Sequence, residues 1–328
     1  MLCPPAALFA MNAKTVSIFK NIKSLKVQGA ENVASAAVDA LALDAFSSKA
    51  AGRKAFLLGL GKTAAFLKTA RPTEPALRNA LRFIVLKANT SKEESVAALR
   101  TLVADQARQY HENSLQTKLK IAEYGAKLVP AGGTVLVHCH SSSVMRVLKK
   151  ARASGKKFSV VCPETRPHYQ GRVSALELSS CGIPTTMIVD SAANCLLQQM
   201  RDSDIMLVGA DAITSSGDLV NKIGTSLLAQ ASFEAGKKVY CCTGMHKFDP
   251  LTLQGCAEPI EYRPPEELLA DLSPAGRRKF GKVRVINPAF DLTPAKHVEA
   301  YVTELGVIPP ASLLSIAWRE FGLGTLRE

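Results

Sequence analysis

The sequence predicts an α/β protein: an N-terminal helical domain over residues 14–127, then a doubly wound, Rossmann-like parallel sheet domain over 128–328. Residues 1–13 read as an extension. Two observations carry this. Up to about residue 127, Ala, Leu and Lys recur at helical spacing. From about residue 131, short β-branched runs alternate with amphipathic segments, the pattern of parallel strands joined by crossover helices.

In the first region, Val16, Phe19, Ile22 and Leu25 form one helical stripe, and breaks are expected at Gly29, Gly52, Gly59-Leu60-Gly61 and Arg71-Pro72-Thr73. In the second, the expected strands are 134–139, 158–163, 185–190, 205–209 and 238–243. Helices are expected at 143–153, 173–181, 192–200 and 223–235, with Val144, Val147, Leu148 and Ala151 as the buried stripe of the first. After Lys247, Pro259, Pro264, Pro265 and Pro274 punctuate an irregular region, and the cluster 285–294 precedes a final helix and the tail.

Composition narrows the function. Charged residues make up 21% of the chain, and no apolar run approaches the roughly 20 residues that cross a bilayer. A soluble protein without membrane association is expected. Lys and Arg exceed Asp and Glu by 13, which favours anionic partners. Aromatics are only 6% and no nucleic-acid motif is present, so phosphorylated small molecules fit better than RNA. The eight cysteines show no CxxC spacing, so reduced thiols and no metal or other cofactor are expected, with Cys241 and Cys242 in the core. Reduced thiols make the cytoplasm the expected location, with an organelle that keeps thiols reduced as the alternative. The stretch before Glu31 is acid-poor, as in import segments, but it lacks Arg and carries Pro4-Pro5.

A doubly wound sheet binds its ligand beyond the carboxyl ends of its strands, so those ends are where chemistry is sought. The first strand ends His138-Cys139-His140-Ser141-Ser142-Ser143. A thiol there can donate a proton or act as nucleophile, or it can be a buried Cys beside an N-cap serine. The second strand ends Glu164-Thr165-Arg166-Pro167, with Gln170-Gly171-Arg172 following. Arg166 and Arg172 there suit a phosphate, or are solvated surface groups. Asp211 follows the small pair Gly209-Ala210 and is either catalytic or a turn cap. The run Asn221-Lys222-Ile223-Gly224-Thr225 opens an expected helix whose N–H groups, with Lys222 and Thr225, could take an anion, and Lys247 adds a cation after the fifth strand.

In their order and spacing, Arg71-Pro72-Thr73, His138-Cys139-His140-Ser141, Glu164-Thr165-Arg166-Pro167 with Gln170-Gly171, Gly209-Ala210-Asp211 and Asn221 to Thr225 closely resemble one family. It unites the alpha, beta and delta subunits of translation initiation factor 2B with ribose-1,5-bisphosphate and methylthioribose-1-phosphate isomerases. The resemblance covers about residues 14–322 and is nearest to ribose-1,5-bisphosphate isomerase, which carries the His-Cys-His-Ser form. It implies conversion of ribose 1,5-bisphosphate to ribulose 1,5-bisphosphate in nucleotide catabolism, with Cys139 as acid and Asp211 as base, or with the two roles exchanged. Both residues are generally lacking in the initiation-factor subunits. It further implies phosphate binding by Gln28, Gly29, Ala30, Arg71, Ser141, Ser142, Arg166, Asn221, Lys222 and Lys247, and a nucleotide effector. Dimers paired through the sheet domains, or hexamers, are implied as well, with Phe290 and residues 305–314 as interface contributors. Two positions depart from the isomerases, which carry Arg where this chain has Gln28 and Lys where it has Ser142. Gln28-Gly29 is closer to the alpha subunit. The alternative functions are therefore a non-catalytic alpha-type subunit, partnered by the other factor subunits, and a methylthioribose-1-phosphate isomerase.

Overall fold

A computed structural model describes residues 11–321. Most of the expected extension lies outside them. The described chain divides into two units, one ending at Leu115 and the other beginning at Gln116.

The first unit is helical: α1 (Ala13–Lys23), α2 (Ala30–Ser47), α3 (Arg53–Lys68), α4 (Pro75–Thr90) and the first part of α5 (Val96–Leu128). Its core is built from Val33, Ala37 and Leu41 of α2, Phe56, Leu60 and Leu67 of α3, and Leu77, Leu81 and Ile84 of α4. In α1, Ile22 is buried and Phe19 stacks on Phe66 with ring centroids 4.0 Å apart. The break expected at Gly59-Leu60-Gly61 does not occur, because α3 runs through it. Each glycine costs a helix about 1 kcal/mol. Burying Phe56, Leu60 and Leu67 returns about 1.5–3 kcal/mol apiece and outweighs that cost.

The second unit is organised by a seven-stranded sheet. Its strands are β1 (Thr134–Val137), β2 (Ser159–Pro163), β3 (Thr185–Ile188), β4 (Ile205–Val208), β7 (Lys238–Cys242), β9 (Ala300–Thr303) and β10 (Gly306–Ile308). The order is β10-β9-β7-β4-β1-β2-β3, parallel except for the β9–β10 pair. The helices are α6 (Ser142–Ala153), α7 (Gln170–Ser180), α8 (Ala193–Leu197), α9 (Thr225–Glu234) and α12 (Leu313–Phe321). Alternation along the strands feeds two cores. Val135 and Val137 of β1 and Ile205 and Leu207 of β4 pack with α6 and α7, whereas Leu136, Met206 and Val208 pack with α8, α9 and α12. Cys241 and Cys242 are buried on opposite faces, as expected of core residues.

A second, antiparallel sheet, β5-β6-β8, was not legible as strands: β5 (Ala212–Ile213), β6 (Leu219–Lys222) and β8 (Phe290–Thr293). It corrects one expectation directly, since Asn221 and Lys222 stand on β6 and α9 begins only at Thr225. The expected final helix is α12, but between it and residue 294 the structure adds β9 and β10, which were not expected. Tyr301 and Val302 are fully buried on opposite faces of β9, one in each core. The irregular region after Lys247 contains two short helices, α10 (Pro265–Leu268) and α11 (Pro274–Lys279).

Two contacts fix these layers. A Cβ on Gly171 would lie 1.8 Å from the Pro163 carbonyl oxygen, so α7 leaves β2 at a distance only glycine allows. Asp291 of β8 accepts the N–H groups of Gly224 (2.7 Å) and Ser226 (3.2 Å), capping α9, and burial pushes its carboxyl up to about 6.

Gly171→Ala is expected to cost about 1–3 kcal/mol, and an unchanged thermal midpoint would contradict the close approach. Asp291 gives a pH signature. Its folded value lies above its ordinary 3.8, so its contribution to stability is complete below pH 4 and is lost as pH rises through 6. The unfolding free energy of wild type relative to Asp291→Asn should fall by on the order of 2–3 kcal/mol across that window, measured by urea denaturation.

Candidate functional site

The order of the large sheet reverses between β1 and β4: β2 and β3 extend to one side of β1, and β4, β7 and β9 to the other. Ligands of doubly wound sheets bind at such a switch point, outside the carboxyl ends. Cys139 follows β1 and Asp211 follows β4, so both expected catalytic residues stand at the carboxyl ends of the two switch-point strands, which pair directly at Val137 and Leu207. The ends approach closely, since a Cβ on Gly209 would lie 2.5 Å from Ser141 Oγ.

Cys139 adopts a left-handed backbone, φ 63°, which costs a non-glycine residue of order 1 kcal/mol. Neighbouring strand ends hold it there. Its N–H donates to Thr165 Oγ1 (3.0 Å) and its carbonyl accepts from Ser174 Oγ (2.9 Å). Thr165 is itself left-handed, φ 61°, and the Asp190 carboxylate accepts its N–H (2.7 Å) and that of Arg166 (2.8 Å). The clamp thus steps from β3 through β2 to β1. Burial pushes the Cys139 thiol up to about 11; the Lys222 cation opposes this and Asp211 adds to it. The thiol is therefore protonated at neutral pH.

The two histidines of the motif would share a face if the strand continued, but β1 ends at Val137 and the left-handed Cys139 between them turns the chain, so they separate. His140 Nδ1 meets Ser174 Oγ at 3.1 Å on α7, whereas buried His138 directs Nε2 to the Ile223 carbonyl (2.9 Å) beyond β6. Ser141 is the N-cap of α6, accepting from the Val144 N–H, and Ser142 is its exposed first residue.

Lys222 is buried opposite Phe290 in the β6–β8 register, with its ammonium 5.0 Å from the ring centroid. Asn221 Nδ2 donates to Thr225 Oγ1, which donates to the Lys222 carbonyl. The anion seat expected at the start of α9 is thus filled from within, by Asp291 on the N–H groups and by Asn221 on the Thr225 hydroxyl. Lys247 donates to the Ala210 carbonyl (2.6 Å), next to Asp211.

Arg166 and Arg172 are not open anion receptors here. Arg166 binds the Tyr169 hydroxyl, Asp271 (3.1 Å) and the Leu268 carbonyl (3.0 Å). Arg172 pairs with Glu164 (2.7 Å) and stacks on Tyr169. Phe290, expected at an interface, is buried within the second unit, as are Ile308 and Leu313, while Leu305 and Val307 are exposed. Gln28, Gly29, Ala30 and Arg71 belong to the first unit. There Gly29, φ 84°, precedes Ala30 at the start of α2, the Gln28 carbonyl accepts from Asn32, and buried Arg71 pairs with Glu74 at 2.8 Å.

Asp190, Ser174 and Asp291 had not been singled out from the sequence. Asp190 ends an expected strand and so satisfied the carboxyl-end rule. Among the described residues, no group of three or more His, Cys, Asp or Glu could hold a metal ion, and no helix is long and apolar enough to cross a membrane.

Comparison with known proteins places this geometry. The initiation factor 2 subunit family model matches residues 26–310. A ribose 1,5-bisphosphate isomerase of Thermococcus kodakarensis is 36% identical over 315 residues, 95% of this chain and 96% of that protein. Two crystal structures from Pyrococcus horikoshii share the fold. The translation initiation factor eIF-2B structure has a TM-score of 0.76 and 27% identity, covering 92% of this chain and 98% of that one. The 5-methylthioribose 1-phosphate isomerase structure has a TM-score of 0.74 and 32% identity, covering 93% and 87%. With a family match across most of its length and a relative this similar end to end, the chain belongs to the initiation factor 2 subunit (IF-2B) family.

Proposed function

We propose that the protein is a sugar-phosphate aldose–ketose isomerase that converts ribose 1,5-bisphosphate to ribulose 1,5-bisphosphate. The observation that carries this reading is the pairing of a thiol kept protonated by burial with the Asp211 carboxylate across the switch point. The 36% identity to a ribose 1,5-bisphosphate isomerase over nearly the whole chain supports the substrate.

In this reading Cys139 protonates the ring oxygen as its bond to C1 breaks, and Asp211 takes the proton from C2, whose electrons form the C1–C2 double bond. The thiolate then takes the O2 proton, and Asp211 returns its own proton to C1. Every proton is thereby conserved, as an isomerisation requires. The hydroxyls of Ser141 and Ser142 at the α6 N-terminus and the cations Lys222 and Lys247 supply the phosphate contacts. Arg166 joins them by exchanging Asp271 for a phosphate oxygen.

A regulatory, non-catalytic reading is favoured by one observation, the Gln28-Gly29 pair in place of Arg. Catalysis by the purified chain separates the two.

Cys139→Ser and Asp211→Asn should each lower kcat by on the order of 100-fold or more with KM little changed, measured by ketose formation. Near-normal turnover in either variant would remove its role. The alkaline limb of kcat/KM should fall near pH 11, because the acid must be protonated and burial holds the thiol there. A limb near 9, the ordinary thiol value, would contradict a desolvated Cys139.

A further inference from the structure

We propose that His138 is a positioning residue, which holds Lys222 within electrostatic reach of Cys139 by anchoring the carbonyl of Ile223. Three contacts define the arrangement. His138 is 4% exposed, and its Nε2 lies 2.9 Å from the Ile223 oxygen. A carbonyl only accepts, so Nε2 carries the proton. On the next residue, Gly224 presents its Cα to the imidazole: a Cβ there would lie 3.2 Å from the ring, at φ 98°. The Gly224 N–H is held in turn by Asp291 at 2.7 Å. The strap Lys222-Ile223-Gly224 is thus fastened on one side by His138 and on the other by Asp291, at the point where β6 presents its buried cation.

An apolar side chain would fill the same space more cheaply. His138 Nδ1 is buried without a hydrogen-bond partner among the described residues, a cost of about 1–3 kcal/mol. The residue tolerates that cost while supplying one donor, to Ile223. The charged groups acting on the ring are Lys222 from β6 and Asp190 beyond β3. Burial outweighs them and keeps the imidazole neutral, so no second cation competes with Lys222. The charged groups acting on Cys139 are Lys222, which favours the thiolate as the His140 N–H also does, and Asp211, which opposes it. Loosening the strap therefore weakens the influence that restrains the thiol from rising further.

As a contribution to catalysis this inference rests on the proposed role of Cys139, but its test does not require turnover. Alkylation of Cys139 in the full chain by iodoacetamide, followed by peptide mass spectrometry across pH 7–11, reports the thiolate fraction. His138→Leu should slow alkylation at pH 9 about threefold or more, by moving the titration upward. His138→Gln, whose amide nitrogen can reach Ile223, should restore it to within about twofold. In a Lys222→Met background, His138→Leu should add no further slowing, because the histidine acts through that lysine. If His138→Leu does not fold by circular dichroism, His138→Asn, too short to reach Ile223, takes its place in both comparisons. A titration unchanged by loss of the donor, or slowing that adds in full to that of Lys222→Met, would overturn the proposal. If the thiol responds as stated and no ketose forms with wild type, the isomerase reading fails while the positioning role stands.

Discussion

The left-handed backbone at Cys139 is the constraint on which the rest of the site depends. A cysteine does not adopt φ 63° unaided, and the conformation persists because two neighbouring strand ends and α7 share its cost. Asp190 fixes Thr165 through two N–H groups, Thr165 accepts the Cys139 N–H, and Ser174 donates to the Cys139 carbonyl. Parallel pairing of β1, β2 and β3 sets these groups side by side. The sheet therefore acts as a jig, in which the spacing of strand ends becomes the orientation of a thiol.

Burial at the same place decides the protonation state of that thiol. Desolvation drives it up to about 11, and the nearby Lys222 reduces the shift without reversing it. A nucleophilic or redox cysteine needs the opposite balance, with its thiolate favoured. Proton donation is the chemistry that this balance suits. Lys222 is itself buried, with the Phe290 ring 5.0 Å from its ammonium, so the cation is held by a quadrupole that leaves its charge effective at the site.

Five of the seven strands of the large sheet were legible because β-branched runs such as Thr134 to Val137 and Ile205 to Val208 stand between amphipathic helices, whereas β9 and β10 were not; the carboxyl-end rule made Cys139 and Asp211 candidates, and the family resemblance supplied their roles. The small sheet was not legible. β5 has only two residues, and β6 ends in the polar pair Asn221-Lys222, which resembles a helix start when Asp291, 69 positions beyond Lys222, is out of view. The turn at Ser216-Gly217-Asp218 between Ile213 and Leu219 was the available hairpin signal. Two glycines in α3 misled because local propensity was outweighed by the burial of Leu60 and Leu67. The commitments of Arg166 to Asp271 and Leu268, some hundred residues away, are tertiary facts that spacing cannot carry.

The central claim is that this sheet edge turns an aldose phosphate into a ketose phosphate. Its most direct measurement is 13C NMR of ribose 1,5-bisphosphate labelled at C2, incubated with the purified chain. The account predicts that the C2 resonance moves from the alcohol region to a ketone carbonyl at a rate proportional to enzyme concentration. A label that stays in the alcohol region while the intact, folded protein binds the sugar would contradict it.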